Sequence, residues 1–428
     1  MINTHDLKIT QEIVPLFDFT ENSFSKEQLF QIFGEPLKFK EDILIRQNIL
    51  KGFIANHAVL KGYSYSRVDF FEVYNFLSDR HTNQTSKLAL TIDLQFSKEQ
   101  RHWMRARFIQ CVLLFYRLYH FYFKRIELKF FPETYRQELQ KASSFLEDLD
   151  LVHYEELIRE NKISVGHIAD FMILLTQKAT KDEHTTFWNR LFLFESYLSI
   201  SKAIVKHGFT FPAFTEDDFT LKNLYHPLLK HPVKNDISLL NNVIVFTGPN
   251  MSGKSTFLKA LSLSVYLGHL GLAVPAEAAS MPYFDSISIA INLNDNILQG
   301  HSHFMTELNN LKQVVIDAGN DKKCFAIFDE LFRGTNVQDA LDISSSTIKG
   351  LLQFKKSYFL VSTHLSQLKE MASGYDQQIE SFYFDCNLKN NVPFFNYQLK
   401  RGWSELKIGK ILFEKEGLAD LLSSDNRC

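Results

Sequence analysis

The sequence predicts a mostly α-helical N-terminal half followed by an α/β domain with a largely parallel sheet. Between residues 40 and 207 the chain contains one proline, Pro132, and three glycines, Gly52, Gly62 and Gly166, as expected of helices, whose interiors disfavour both residue types. From Gly208 onward both become frequent, and short apolar runs alternate with helical spacing. This alternation is typical of strands and helices that follow one another.

Length and composition place the chain among globular proteins of more than one domain. Its 428 residues are 45% hydrophobic and 22% charged, which is ordinary for a chain that buries its own core. We expect a helical core or lever-like domain over residues 1–215, with a possible subdivision near residue 100, and the α/β domain over 216–428. The 40 phenylalanines are interpreted as core residues.

Charge and cysteine usage exclude several classes of protein. The net charge of −2 gives no global basic excess for nucleic acid, although a local basic stripe can still bind phosphates. The four cysteines lie far apart and match neither a disulfide scaffold nor a zinc site. The first residues lack a secretory signal, and Arg117 interrupts the apolar stretch 108–123, so we expect a cytoplasmic protein that does not cross a membrane.

Within the helical half, apolar residues recur at helical spacing. Two series show this pattern: Ile168, Phe171, Met172 and Leu175, and then Phe194, Tyr197, Leu198 and Val205. The stretch 101–136 mixes basic and aromatic residues, and two interpretations of it remain open. It is a long helix that contacts a nucleic-acid backbone, or, as we favour, a helix with an aromatic buried face and a solvated basic face.

A phosphate-binding motif opens the chemistry of the second half. The run 242–247 fits a buried strand, the pattern G-x-x-x-x-G-K-[ST] follows from Gly248 to Ser255, and helical spacing resumes after it. This context predicts a P-loop NTPase domain. Backbone N–H groups of the loop surround phosphates, Lys254 supplies positive charge to the β- and γ-phosphates, and the Ser255 hydroxyl can ligate Mg²⁺.

Two further apolar runs end in polar residues. Residues 324–328 lead into Asp329 and Glu330. A carboxylate at the carboxyl end of a neighbouring parallel strand can hold Mg²⁺ through water, which assigns Asp329, and Glu330 can orient and deprotonate the attacking water. Residues 357–362 lead into Thr363 and His364, and His364 is predicted to face the γ-phosphate, although spacing alone leaves a structural histidine as the alternative.

The second half resembles the ATPase domain of the MutS family of DNA mismatch-repair and related proteins. The P-loop carries that family's particular form. Downstream, the family's pattern is matched by Gly268, Gly271 and 274–276 after the first helix, by the segment 329–335 and by the Thr363-His364 pair. Upstream, it is matched by His226-Pro227 and Asn235-Asp236. The resemblance implies that ATP is bound by Gly248, Pro249, Asn250, Met251, Ser252, Gly253, Lys254, Ser255 and Thr256. Mg²⁺ is then held by Ser255 and Asp329, and Lys254, Glu330 and His364 are catalytic.

Residues 300–307 resemble the family's signature loop, in which a serine contacts the nucleotide of the opposite subunit. Ser302 takes that place, so the resemblance implies a homodimer with two composite ATP sites. His301 and His303 depart from the usual Arg and Thr. At the adenine site, residues 232–234 lack the family's stacking aromatic, so adenine stacking is expected either to be weaker or to be supplied by a residue elsewhere.

The resemblance further implies DNA as a ligand and a MutL-like repair partner. The expected function is ATP-dependent DNA binding in mismatch repair or related DNA-structure recognition. In full-length members a mismatch-reading domain, a connector and a clamp accompany the lever helices and the ATPase domain, and the chain before the P-loop is too short for all of them and shows no candidate Phe-x-Glu mismatch reader. The alternative is therefore a shortened relative that acts on branched or recombining DNA or regulates a fuller partner. An ATPase subunit of a membrane transporter is disfavoured because its Leu-Ser-Gly-Gly signature is absent. A nucleotide-dependent switch that hardly hydrolyses ATP is disfavoured by intact Asp329, Glu330 and His364.

Overall fold

The computed structural model describes residues 2–3, 5–34, 36–78, 87–180, 183–291, 303–332, 335–375, 377–389, 392–404 and 409–422. The chain divides into two compact units. The helical unit consists of Val14–Glu35 and Leu44–Lys206, and the α/β unit of Met1–Ile13, Pro36–Ile43 and His207–Cys428. A helical N-terminal half followed by an α/β domain is therefore confirmed.

Among the described residues, helices account for the regular structure of the helical unit. They are α1 (Val14–Phe17), α2 (Ser23–Gly34), α3 (Lys40–Ala55), α4 (His57–Leu60), α5 (Arg67–Ser78), α6 (Lys87–Phe96), α7 (Lys98–Tyr116), α8 (Glu133–Glu147), α9 (Leu151–Arg159), α10 (Val165–Thr180) and α11 (Glu183–His207). Aromatic rings fill the interior, as expected of so many phenylalanines; those fully buried are Phe17, Phe33, Phe53, Phe70, Phe108, Phe115, Phe171, Phe187 and Phe194. Among the described helices of the chain, none is long and apolar enough to cross a membrane.

The stretch 101–136 is not one long helix, so that expectation was wrong. Helix α7 continues as π-helix only to Phe123, and the next α-helix begins at Glu133. Between them the backbone N–H of Glu127 donates to Asn56 Oδ1 at 2.8 Å, and Asn56 Nδ2 donates to the carbonyl of Glu127 at 3.3 Å. This tertiary contact satisfies backbone groups that a continuing helix would otherwise bond.

The α/β unit contains two sheets. Its strands are β1 (Ile2–Asn3), β2 (Ala213–Thr215), β3 (Phe219–Leu224), β4 (Asn235–Leu239), β5 (Val243–Thr247), β6 (Ala278–Pro282), β7 (Ser286–Ala290), β8 (Cys324–Asp329), β9 (Tyr358–Ser362), β10 (Ile379–Lys389) and β11 (Val392–Arg401). Its helices are α12 (Lys254–His269), α13 (His303–Gly319), α14 (Val337–Leu351), α15 (Leu368–Ser373), α16 (Gly409–Lys415) and α17 (Leu418–Leu422).

The larger sheet positions the site. Within the described residues its order is β1-β7-β8-β9-β5-β10-β11, and every neighbouring pair is parallel except β10 and β11. Strands β5, β8 and β9 are buried along most of their length, as expected of parallel strands covered on both faces. Because these strands are parallel, their carboxyl ends meet at one edge of the sheet, where ligands bind in such folds.

Candidate active site

The loop between β5 and α12 has the backbone conformation of a phosphate-binding loop. Gly248, Met251 and Gly253 have φ angles of +135°, +66° and +98°. A Cβ on Gly248 would lie 3.2 Å from Ser252 Oγ, so the absence of a side chain permits both the φ angle and the close approach. The loop leads into the N-terminus of α12, where backbone N–H groups lack intrahelical acceptors and favour an anion.

Lys254 begins α12 with its ammonium group turned back toward the loop. Its Nζ donates to the carbonyl oxygens of Gly248 at 2.8 Å and Pro249 at 3.4 Å. Burial lowers the pKa of Lys254 from its ordinary value, against the opposing effect of the negative charges of Asp329 and Glu330. A buried cation beside backbone N–H groups interacts strongly with phosphate oxygens, because water screens it little.

Ser255 joins the P-loop to the carboxylate of Asp329. The expectation that β8 directly neighbours β5 was wrong, since β9 lies between them. Ser255, in the first turn of α12, nevertheless reaches across, and its Oγ donates to Asp329 Oδ2 at 2.7 Å. The two predicted Mg²⁺ ligands are therefore in contact although 74 positions separate them in the chain.

The polar atoms around this contact fit a nucleotide with Mg²⁺. The buried atoms Asp329 Oδ1 and Ser252 Oγ have no hydrogen-bond partner among the residues that the structure describes, and buried polar atoms normally have one. The described residues contain no cluster of three or more His, Cys, Asp or Glu side chains able to hold a metal. One carboxylate and one hydroxyl suit Mg²⁺, which keeps several waters and takes further ligands from phosphates.

Glu330 and His364 form a second contact at the carboxyl edge of the larger sheet, after that of Ser255 with Asp329. Their side chains meet with His364 Nε2 2.6 Å from Glu330 Oε1, and Glu330 is the more buried of the two. When Glu330 is ionised, Nε2 carries the proton and donates it. The histidine therefore orients the carboxylate, and both side chains adjoin the strand ends that carry Asp329 and Thr363.

Lys254, Ser255, Asp329 and Glu330 line a cavity of about 770 Å³, whereas His364 contacts Glu330 and is not part of the described lining. Pro249 to Thr256, Asp329 and Glu330 belong to its lining. Tyr225, His226, Val233, Asn235 and Tyr397 line it as well. Its volume lies within the range of small-molecule sites, and apolar walls with a few polar groups are typical of such sites.

Tyr397 is a candidate binding residue that the sequence did not reveal. Its ring comes within 3.2 Å of the position that a Cβ on Gly253 would occupy. Asn235 fixes the backbone around it: Asn235 Nδ2 donates to the Tyr397 carbonyl at 3.0 Å, and Leu399 N–H donates to Asn235 Oδ1 at 2.7 Å. No local motif marks Tyr397, because it lies on β11, far along the chain from the P-loop.

Part of the predicted site lies outside the described residues. Ser302, His301, Arg333 and Gly334 belong to this part. His303 begins α13, and its side chain is likewise not described. The role of Ser302 in a composite site therefore stays a prediction.

Comparison with known proteins agrees with this geometry. The family model described as MutS domain V matches residues 244–419. The DNA mismatch repair protein MSH3 of Candida albicans is 27% identical over 92% of this chain and 41% of its own length. MutS protein homolog 4 of Mus musculus is 31% identical over 62% of this chain and 29% of its own length. The DNA mismatch repair protein MutS of Thermus thermophilus is 33% identical over 52% and 27%.

The chain thus spans less than half the length of these curated relatives. The similarity to MSH3 nevertheless extends through most of this chain, including much of the helical half. MutS domain V is an ATPase domain related to those of ABC proteins, which implies the use of ATP and Mg²⁺. The resemblance drawn from the P-loop and the segments after it is confirmed: the chain belongs to the MutS family and carries that family's domain V.

Proposed function

We propose that this protein binds DNA and couples ATP binding and hydrolysis to conformational change on it, in mismatch repair or in related DNA-structure recognition. The observation that carries the proposal is the contact of Ser255 with Asp329 at 2.7 Å beside the Glu330–His364 pair. It brings phosphate-binding, metal-binding and water-activating groups to one cavity. The mismatch-repair names of the relatives support the DNA part of the proposal.

The P-loop would bind the phosphates of ATP. Backbone N–H groups at the start of α12 would surround the phosphate oxygens, and the Lys254 ammonium would exchange its carbonyl contacts for the β- and γ-phosphates. Ser255 Oγ and Asp329 would hold Mg²⁺, Asp329 through water. When bound, Mg²⁺ neutralises charge on the β- and γ-phosphate oxygens as the bond to the leaving group breaks.

Glu330 would orient a water molecule in line with the γ-phosphate and accept its proton. A carboxylate within hydrogen-bond reach of the water is suited to this role. His364 would hold Glu330 through the Nε2–Oε1 contact of 2.6 Å and contact the γ-phosphate side of the cavity. The products are ADP and inorganic phosphate, with the proton left on Glu330 before it returns to solvent.

Tyr397 would supply the aromatic surface for adenine. The ring lies beside Gly253 and lines the same cavity as Asp329 and Glu330, and residues 232–234 offer no aromatic side chain. Base stacking on an aromatic ring needs only a flat π surface. Asn235 holds the backbone of Tyr397, so it would position the ring rather than contact the base.

The assembly proposed is a homodimer with two composite ATP sites. Ser302 of one subunit would contact the nucleotide bound by the P-loop of the other. A MutL-like repair partner would recognise the ATP-bound state on DNA. Membership of the MutS family supports both parts of this proposal.

The catalytic assignment is tested by Glu330→Gln. Removal of the base should lower kcat for ATP hydrolysis by about 100-fold or more, while ATP affinity changes little because the P-loop is intact. Hydrolysis is measured as phosphate release, and affinity with a fluorescent ATP analogue. The control is Asp342→Asn, a neutralised exposed acid on α14. Normal hydrolysis by Glu330→Gln would show that the assignment is wrong.

A further inference from the structure

The turn that carries Glu330 contains two residues in the left-handed backbone region. Glu330 has a φ angle of +55° and Phe332 one of +64°. Side chains disfavour this region because Cβ crowds the backbone, and for a bulky aromatic residue it is an outlier. Such a conformation persists only where the surrounding structure holds it, and it is concentrated at functional sites.

Contacts on both sides of the turn hold it in place. On one side, the Glu330 N–H donates to the Ser362 carbonyl of β9 at 3.0 Å. On the other, the Phe332 N–H donates to Glu307 Oε2 of α13 at 2.9 Å. The Phe304 ring, also on α13, meets the Phe332 ring with centroids 5.9 Å apart. Two side chains of α13 therefore contact Phe332: Glu307 accepts from its backbone N–H, and Phe304 packs against its ring.

Glu307 is well placed to keep this geometry rigid. Its side chain is 4% exposed, and Phe332 is fully buried. A hydrogen bond from a backbone N–H to a buried carboxylate is stronger than one between neutral groups. Without Glu307 the Phe332 N–H would lose this acceptor, and a turn with two left-handed residues would relax toward ordinary angles.

We propose that Glu307 is a positioning residue for ATP hydrolysis, which holds the turn from Glu330 to Phe332 so that the Glu330 carboxylate faces the nucleotide and His364. The proposal rests on the proposed catalytic role of Glu330. Glu307 acts through the backbone of Phe332 and takes no proton itself. What it supplies is one acceptor oxygen at a fixed place, so another side chain with such an oxygen can replace it.

The test compares Glu307→Ala with Glu307→Gln. In Glu307→Ala, kcat should fall about 10- to 100-fold, since small misplacement of a catalytic group has effects of this order, and KM should stay within about twofold. In Glu307→Gln the amide oxygen can still accept from Phe332, and kcat should return to within about threefold of wild type. If Gln is as damaging as Ala, the charge of Glu307 matters rather than its acceptor oxygen, and the proposal is overturned.

The matched control is Asp317→Ala on the same helix. Asp317 is also 4% exposed. Its carboxylate accepts hydrogen bonds from Ser286 Oγ at 2.8 Å and Lys322 Nζ at 2.9 Å rather than from the turn that carries Glu330. It should lower the unfolding temperature and leave kcat within about twofold of wild type. An equal loss of kcat in Asp317→Ala would mean that any damage to α13 suffices, which contradicts a specific role for Glu307.

Two further variants show whether a negative result concerns the fold, the role of Glu307 or the catalytic role of Glu330. Where Glu307→Ala does not fold, Glu307→Met fills similar space without an acceptor oxygen; it should lower kcat about 10- to 100-fold at unchanged KM, and unchanged kcat overturns the proposal. Glu330→Gln is measured in parallel. If Glu330→Gln is inactive while Glu307→Ala is fully active, only this inference fails; if Glu330→Gln is active, the proposed catalytic role itself fails.

Discussion

At the scale of single residues, the site depends on charged groups that are partly removed from water. Burial lowers the pKa of Lys254 while the charges of Asp329 and Glu330 act against this effect. The three side chains lie around one cavity. A polyphosphate that enters it meets a poorly screened cation, and the acids are held by Ser255 and His364 rather than by Lys254. The proposed roles assign ATP binding and hydrolysis to different residues, so substitutions should separate the two.

Residues marked by a local sequence pattern, such as the P-loop or a polar residue at the end of an apolar run, could be predicted from the sequence, but residues that no local pattern marks could not. Gly248 to Thr256 were predicted because phosphate binding needs that spacing in an unbroken loop. Tyr397 was not, since its place beside Gly253 depends on how β11 pairs with β10 and on Asn235. Phe332 gave no signal either, because a left-handed aromatic residue has no sequence pattern.

Tyr397→Ala should weaken ATP binding without impairing the chemical step. Stacking of a base on an aromatic ring contributes about 1–3 kcal/mol, so KM for ATP should rise about fivefold or more while kcat changes little. Tyr397→Phe keeps the ring and should retain the wild-type KM. Phe394→Ala serves as control, because Phe394 is an exposed aromatic of the same strand that does not line the cavity. An unchanged KM in Tyr397→Ala would refute stacking.

At the scale of secondary-structure elements, apolar runs identified the strands but not their order. The runs 242–247, 324–328 and 357–362 correspond to β5, β8 and β9. That β9 lies between the other two follows from chain crossovers and packing, which single runs do not encode. The helix end near Phe123 likewise depends on Asn56, a residue remote in sequence.

His269 anchors the far end of α12, the helix that begins at the P-loop. The Phe284 N–H donates to His269 Nε2 at 2.9 Å, so Nδ1 carries the proton and donates to the Val265 carbonyl at 2.8 Å. This arrangement requires a neutral ring, and burial lowers the pKa of His269 to about 4. Its contribution to stability is therefore present above about pH 6.5 and is lost as pH falls through about 4.

The expected loss of the His269 contribution to the free energy of unfolding is about 3 kcal/mol between about pH 7.5 and pH 4, and it appears as the difference between wild type and a variant without this histidine. His269→Gln cannot titrate and should lack this part of the pH dependence, although it is less stable at neutral pH. Urea denaturation at both pH values measures the difference. An equally steep acid dependence in His269→Gln would contradict the role of His269.

Glu195 of α11 gives the helical unit the opposite pH dependence. Its carboxylate accepts from Tyr63 and Tyr65 hydroxyls at 2.7 Å each, Ser25 Oγ at 2.8 Å and Asn22 Nδ2 at 2.7 Å. Burial outweighs these bonds and raises the pKa of Glu195 to about 7. The folded state therefore binds the proton more tightly, so this contribution is present below about pH 4.5 and is lost as pH rises through about 7.

The contribution of Glu195 to the free energy of unfolding should therefore fall by about 3 kcal/mol between about pH 4.5 and pH 7.5. Glu195→Gln should abolish it while lowering stability at every pH, because the amide oxygen accepts fewer of the four donors. Urea denaturation at the two pH values, followed by far-ultraviolet circular dichroism, gives both quantities. If the variant keeps the wild-type difference between the two pH values, Glu195 does not titrate as stated.

At the scale of the whole molecule, electrostatics alone does not identify DNA as the ligand. The net charge is −2, and the exposed basic residues of the stretch 101–136, such as Arg117, Lys124 and Arg125, are ordinary for a helical surface. The proposal of DNA binding comes from membership of the MutS family, whose relatives here carry DNA mismatch-repair names.

The most direct test is ATP turnover measured at one fixed salt concentration without DNA and with homoduplex, mismatched and branched DNA. We expect that at least one DNA structure changes kcat several-fold, and that Lys254→Ala abolishes turnover under every condition. The DNA that gives the largest change would distinguish mismatch recognition from action on branched DNA. Equal turnover rates under all four conditions would contradict coupling between the ATPase and DNA.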